Sequence, residues 1–175
     1  LYDCVGDLCW STARCAIGAM GNCVSDPAGA APELHAAALD GDSVRLAAFL
    51  AAGAGVDAKT EGDFTALMYA AKAGSFACVL ALLQAGADVN CTGEHGTALL
   101  FAAKSGNADM VAALLRVGAH VDARASSGMT ALMAASASGH ADVVALLLKA
   151  GAAVGARTLF GRTAAILAAG NGHAR

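Results

Sequence analysis

Apolar residues recur along the chain in a helical pattern that is itself repeated at a nearly constant interval. Each interval opens with a short phrase that ends at a glycine, such as TALMYAAKAG at 65–74 and TALLFAAKSG at 97–106. The closing glycines are Gly41, Gly74, Gly106, Gly139 and Gly172, at steps of 33, 32, 33 and 33 residues. Such self-similarity is typical of repeat architectures, so we predict one helical unit repeated over most of the chain.

A second apolar stripe follows each closing glycine and predicts a second helix in every complete unit. Apolar residues stand five, eight and nine positions after each of the first four glycines. This spacing places the three residues on one face of a helix. Each stripe ends at a further glycine, where a left-handed backbone satisfies the last carbonyl groups. The stripes begin at Leu46, Val79, Val111 and Val144, and the glycines that end them are Gly53, Gly86, Gly118 and Gly151.

The stretch between one unit and the next predicts a hairpin or extended turn. It is rich in Gly, Ser, Thr and charged residues, which favour turns over regular structure. The stretch that opens the third unit, CTGEHG, has one residue fewer than the others and accounts for the step of 32 residues, so we expect this third hairpin to have a shorter tip. Paired alanines in the first helices, such as Ala70 and Ala71, let neighbouring helices approach closely.

The repeated phrase closely resembles the signature of the ankyrin repeat family, which begins T-P-L-H. In this chain Ala follows the Thr in the second, third and fourth units, and Pro32 replaces the Thr in the first. The family's Thr corresponds to Thr65, Thr97, Thr130 and Thr163, and its His remains only as His35, with Met68, Leu100, Met133 and Ile166 in the other units. The resemblance implies an all-α ankyrin repeat solenoid of stacked helix-turn-helix units with hairpin loops.

The resemblance also predicts the organisation of the chain. We expect a Cys-rich N-terminal extension over 1–29 and an ankyrin repeat array over 30–175. The predicted units are 30–59, 60–91, 92–124, 125–157 and a partial unit at 158–175. Because the last unit stops before its second helix, we expect the natural chain to continue and the apolar face of Ala164, Ile166 and Leu167 to be exposed.

The N-terminal extension contains four of the six cysteines and leaves three interpretations open. The cysteines pack as apolar residues over the first repeat, form two disulfides in one of three connectivities, or bind zinc. Disulfides would indicate an organellar or luminal compartment, whereas without them the default is cytoplasmic. The spacings lack the C-x2-C pairs that are typical of structural zinc sites. The residues are Cys4, Cys9, Cys15 and Cys23.

Composition and charge argue against two classes of partner. The formal net charge is −3 and charges of both signs are dispersed, so the chain lacks the basic surface that binds nucleic acid. No stretch approaches the roughly 18–20 strongly apolar residues of a membrane span. Hydrophobic residues make up 57% of the chain, but alanine supplies much of this fraction, which favours closely packed helices.

Motifs for catalysis, metals and cofactors are weak. The segment GAGVDA at 53–58 matches a dinucleotide-binding pattern, but it follows a predicted helix instead of a strand. Cys91, Glu94 and His95 share one hairpin and could in principle bind a metal ion, although such a mixed group is more typical of a solvated loop. We therefore predict no enzyme activity, no metal site and no cofactor.

The predicted function follows from the resemblance. Ankyrin proteins bind partners on the concave side formed by the hairpin tips and the ends of the first helices, which implies a non-catalytic protein–protein interaction module. Lys72 and Lys104 would form a positive stripe, and RTLFGR at 157–162 places Leu and Phe between two arginines, so we expect a partner with an acidic, partly apolar face. The predicted partner-binding residues are Lys59, Phe64, Lys72, Lys104, Arg124, Met129, Arg157, Leu159, Phe160 and Arg162.

Two alternative functions remain open at the level of sequence. In the first alternative, the chain is a permanent accessory or structural subunit of a large multiprotein complex, which includes complexes of organellar membranes. Alternatively, it would be the regulatory ankyrin region of a longer enzyme or channel. A binding module should be soluble and monomeric alone, whereas a permanent subunit should aggregate or co-purify stoichiometrically with its complex.

Overall fold

The computed structural model describes residues 31–173, and within this range it contains nine α-helices and no strands. The predicted all-α array of helix-turn-helix units is confirmed. The N-terminal cysteines at positions 4, 9, 15 and 23 lie outside the described residues. The helices are α1 (Ala31–Asp40), α2 (Ser43–Ala51), α3 (Ala66–Ala73), α4 (Phe76–Gln84), α5 (Ala98–Ser105), α6 (Ala108–Arg116), α7 (Ala131–Ser138), α8 (Ala141–Lys149) and α9 (Ala164–Gly170).

Helix ends follow from the residues that flank the apolar stripes. Thr65 caps α3 because its hydroxyl oxygen accepts a hydrogen bond from the Met68 backbone N–H, and the threonines before α5, α7 and α9 do the same. The helix α3 ends at Gly74, whose φ of 75° is left-handed. The glycines predicted to be left-handed after the second helices, such as Gly86 with a φ of 87°, are confirmed. Asp42, Ser75 and Asn107 cap the second helices α2, α4 and α6.

The helices stack in two layers. The first helices α1, α3, α5, α7 and α9 contact one another in order, and the second helices α2, α4, α6 and α8 form the other layer. The alanine pairs of α3 and α5 are fully buried, which permits close helix contacts. Leu46, Leu82, Leu114 and Leu147 of the second helices are fully buried in the same continuous core.

Polar side chains hold consecutive hairpins in register. Side-chain oxygens of Asp57, Asn90 and Asp122 accept hydrogen bonds from backbone N–H groups of the next hairpin, at 2.9, 2.8 and 2.9 Å. These residues occupy the same place in three successive units. Because each bond joins neighbouring repeats, the row of hairpins behaves as a connected edge of the array.

Two local features test the sequence predictions. The third tip is shorter, as predicted: Gly93 and Gly96 exchange two backbone hydrogen bonds of 3.0 Å, whereas Thr60 pairs with Phe64 in the second unit. The prediction that Ala164 is exposed is wrong. It is only 6% exposed because α9 packs on α7, whereas Ile166 is 54% exposed and Leu167 is half-buried.

Candidate functional site

A groove lies on the side of the array that carries the first helices and the hairpin tips. Its volume is about 790 Å³, and its lining comes from the second, third and fourth units. Because the units stack, residues that hold the same place in successive units form columns along this side. Two columns are important for the groove, and both come from the repeated ten-residue phrase. The fifth residue of the phrase is Tyr69, Phe101 or Ala134 in the second, third and fourth units, and the eighth residue is Lys72, Lys104 or Ala137.

One end of the groove is bordered by an aromatic ledge, which we define as Phe64, Tyr69, His95 and Phe101. The Phe64 ring centroid lies 5.1 Å from that of Tyr69, 5.3 Å from that of His95 and 5.5 Å from that of Phe101. Rings at such distances attract one another beyond the area they bury. The ledge is therefore held together by its own contacts, and Phe64 and Phe101 present part of it to the groove.

Small side chains line the part of the groove that belongs to the fourth unit. Ala134 occupies the place held by Tyr69 and Phe101 in the preceding units, so the aromatic ledge stops there. Ala134 packs with Leu100 and Ala125, and Met129 lies against this small cluster. We call this part the small-residue floor, which is Ala125, Ser126, Ser127, Ala134, Ala137 and Ser138.

The charges along the groove are mainly positive. Lys72 and Lys104 line it from adjacent helices and are exposed. The Lys72 ammonium nitrogen lies 5.7 Å from the centroid of the Phe64 ring, within the range of a cation–π interaction. Among the described residues that line the groove, Glu94 is the only carboxylate. The groove therefore offers an apolar surface with an excess of positive charge.

Four of the ten residues predicted from the sequence to bind a partner line the groove. They are Phe64, Lys72, Lys104 and Met129.

Lys59 and Arg124 are used differently. The Lys59 ammonium donates to the Thr92 carbonyl oxygen at 3.1 Å, and the Arg124 guanidinium donates to the Arg157 carbonyl oxygen at 3.4 Å. Both cations therefore brace the next hairpin, and their side chains do not line the groove.

The remaining predicted residues, Arg157, Leu159, Phe160 and Arg162, are exposed and lie in or directly before the hairpin 158–162. Leu159 is 75% exposed and Phe160 is 83% exposed, so neither contributes to the core. The Leu159 N–H donates to the carbonyl oxygen of Ser127 at 3.0 Å, and Ser127 lines the groove. The apolar tip is therefore adjacent to the small-residue floor.

Sequence reasoning missed the residues that shape the groove. Phe101 and Ala134 were not among the predicted residues, and neither was Tyr69 of the ledge. The signal was present at the fifth position of the phrase, which is aromatic in TALMYAAKAG and TALLFAAKSG but alanine in TALMAASASG. The fifth position differs between units that fold in the same way, so its residue type is not dictated by the fold and indicates a role at the surface.

The candidate metal group of the third hairpin is used in other ways. The His95 ring packs on Phe64, and the Cys91 sulfur lies 3.7 Å from a carboxylate oxygen of Asp88. Burial of the thiol, together with the negative charges of Asp57 and Asp88, raises the pKa of Cys91 to about 11. Within residues 31–173, no three His, Cys, Asp or Glu side chains are grouped as metal ligands would be.

The helices between residues 31 and 173 are short. None of them has the length and apolar character needed to cross a bilayer.

Comparison with known families gives a direct match. The family model for ankyrin repeats (3 copies) matches the chain over residues 29–93 and 88–158. No curated protein matches the chain at a significant level.

Proposed function

Because the chain belongs to the ankyrin repeat family, we propose that it is a non-catalytic binding module that takes a protein partner in its groove. Repeats of this family are in general protein–protein interaction modules and are typically non-catalytic. In this proposal the array of residues 30–175 carries the function and residues 1–29 form a separate extension.

The observation that carries the proposal is a surface that the fold does not require. Tyr69, Phe101 and Ala134 occupy one place in three successive units that all fold in the same way. An aromatic residue at this place is therefore not required for a unit to fold. Tyr69 and Phe101 pack partly against the core, and they also help to form a ledge beside an open groove of about 790 Å³. Binding sites are typically concave and mainly apolar, with a few placed polar groups.

The charges support a partner with an acidic, partly apolar face. Lys72 and Lys104 extend into the groove region, and one carboxylate, Glu94, opposes them among the described lining residues. The adjacent tip adds Leu159 and Phe160, whose exposed apolar area is of the kind that becomes buried in interfaces. Groove and tip then form one continuous binding surface on the concave side.

The experiment that tests this proposal fills the groove. Ala134→Phe places an aromatic ring at the position that Tyr69 and Phe101 occupy in the preceding units, beside Leu100 and Ala125. Ala145→Phe is the matched control, because Ala145 is exposed on α8 and does not line the groove. Affinity purification with quantitative mass spectrometry compares the partners retained by the original chain and by both variants.

We expect the specific partners of the original chain to be lost by at least tenfold with Ala134→Phe and retained with Ala145→Phe. Circular dichroism and thermal unfolding verify that both variants remain folded. If the same partners bind the groove-filled variant undiminished, the groove is not the binding site.

A further inference from the structure

The eighth residue of each phrase forms a row along the groove with a spacing that the helix packing fixes. Lys72 of α3, Lys104 of α5 and Ala137 of α7 all line the groove, and these three helices contact one another in order. Helices packed through small residues lie about 8–10 Å apart. The row therefore presents two cations, Lys72 and Lys104, and then the small apolar side chain of Ala137, at intervals of roughly 8–10 Å.

A peptide in the polyproline II conformation has the matching period. It has about three residues per turn and a rise of about 3.1 Å per residue, so side chains three apart point the same way at intervals of roughly 9 Å. A β-strand repeats a face every two residues, or roughly 7 Å, and so falls out of step with the row.

The charges decide what the segment carries. Because Lys72 already lies over the Phe64 ring and Lys104 follows it, the ledge repels a cationic side chain and attracts a carboxylate. The small-residue floor beside Leu100 and Met129 leaves room for a bulky apolar side chain.

We propose that the groove binds an extended segment of a partner protein in which two acidic residues stand three positions apart and a bulky apolar residue stands three positions beyond the second. The acidic residues pair with Lys72 and Lys104, and the apolar residue covers Ala134 and Ala137. The same match holds for the reversed order of residues in a segment of the opposite chain direction. This inference rests on the proposed function, since it names the class of partner for the same groove.

The first test can be carried out before any partner is identified. A phage-displayed library of random twelve-residue peptides is panned against the full 175-residue chain, and in parallel against Ala134→Phe and Ala145→Phe. We expect enriched peptides to share the acid, acid and apolar pattern at spacings of three, to bind Ala145→Phe, and to be lost with Ala134→Phe. Should Ala134→Phe fail to fold, Ala137→Leu fills the same floor at a place where Lys72 and Lys104 show that long side chains fit.

The second test measures the register with a synthetic copy of an enriched peptide. One glycine inserted between the acidic residues rotates the rest of a polyproline II segment by about 120°, and we expect affinity to fall at least tenfold. Lys104→Glu should weaken peptide binding about five- to tenfold. In this variant, alanine at the peptide's acidic residue that faces position 104 should cause no further loss of affinity, whereas alanine at the other acidic residue should still weaken binding. Lys149→Glu, on the exposed end of α8, is the matched charge control and should leave affinity unchanged.

The outcomes separate this inference from the proposed function. Some selected peptides would bind only when the small-residue floor is open, yet be basic or tolerate the glycine insertion. Such peptides would overturn the proposal of an extended acidic segment but leave the groove as the binding site. An absence of enriched peptides overturns the inference as well, because the library contains the pattern. Peptides that bind Ala134→Phe and Ala137→Leu as well as the original chain contradict both proposals.

Discussion

His140 links two units through contacts that depend on a single glycine. Its Nε2 atom lies 3.1 Å from the Lys104 carbonyl oxygen, and its ring lies against Gly106. A Cβ atom added at residue 106 would lie only 2.5 Å from Nδ1 of the ring. Gly106 is therefore required for its left-handed φ of 77° and also for the space that it leaves to the histidine.

Two glycine substitutions separate these requirements. Gly106→Ala and Gly118→Ala both place a side chain at positive φ, but only residue 106 has a neighbour within 4 Å. We expect each to lose about 1–2 kcal/mol of unfolding free energy from backbone strain. Gly106→Ala should lose roughly 1 kcal/mol more through the displaced His140 hydrogen bond. Urea denaturation measures both, and an equal loss, or an excess that persists with His140→Ala, would contradict this account.

Cys91 gives a prediction for pH dependence. The thiolate is the reactive form of cysteine, and burial with two nearby carboxylates raises the pKa of this thiol to about 11. At pH 8 to 9 the folded chain should therefore alkylate Cys91 far more slowly than the urea-unfolded chain. Peptide mapping after iodoacetamide treatment identifies the residue, and Asp88→Asn should accelerate the reaction because a negative charge is removed. Equal rates in the folded and unfolded chain would refute the shielding.

Helix boundaries are the feature that the sequence predicts best. Threonine caps and left-handed glycines are local signals, and the observed ends at Thr65, Gly74 and their equivalents in α5 and α7 match them. The helix α9 begins after the Thr163 cap but ends with Asn171 as its C-terminal cap, before the predicted Gly172. The burial of individual stripe residues depends on neighbours that are distant in sequence and is predicted less well. In α8, Val143 is fully buried while Val144 is half-buried, although the pattern indicated Val144 as the start of the stripe.

The second helices supply the large side chains of the core, which leads to a stability prediction. Leu114 of α6 is fully buried, whereas Leu148 at the end of α8 is 44% exposed. Leu114→Ala should lower the unfolding free energy by about 2–5 kcal/mol because a cavity remains. Leu148→Ala, the same change in chemistry, should cost less than about 1 kcal/mol. Thermal or urea unfolding followed by circular dichroism gives both values, and similar losses would contradict the assigned core.

The groove emerges only at the scale of the whole molecule. It combines the hairpin residue Phe64, the helix residue Phe101 and the absence of a large side chain at Ala134, which lie in three different units. The resemblance fixes which positions face the side of the hairpins and first helices, so four of the residues predicted from the sequence line the groove. It could not identify the open volume, since this depends on how side chains of neighbouring units fill or leave space.

Charge is also distributed at this scale, and it leads to a kinetic prediction. The chain has a net charge of −3, yet Lys72 and Lys104 make the groove region positive. The double variant Lys72→Glu with Lys104→Glu should slow association with an acidic display-selected peptide several-fold at low salt, because exposed charges mainly steer encounter. It should also reverse or abolish the decrease of the association rate with added salt. Stopped-flow fluorescence measures these rates, and unchanged salt dependence would exclude steering by the two lysines.

The central claim is that the partner occupies the side formed by the hairpins and the first helices, across the second to fourth units. Amide hydrogen exchange of the full chain with and without the partner recovered by affinity purification tests this claim most directly. We predict that bound partner slows exchange in the hairpin segments 93–96 and 125–129, whose tips border the groove. Exchange in α4, α6 and α8 should be unchanged. Protection confined to those second helices, with the hairpins exchanging as in the free chain, would contradict the account.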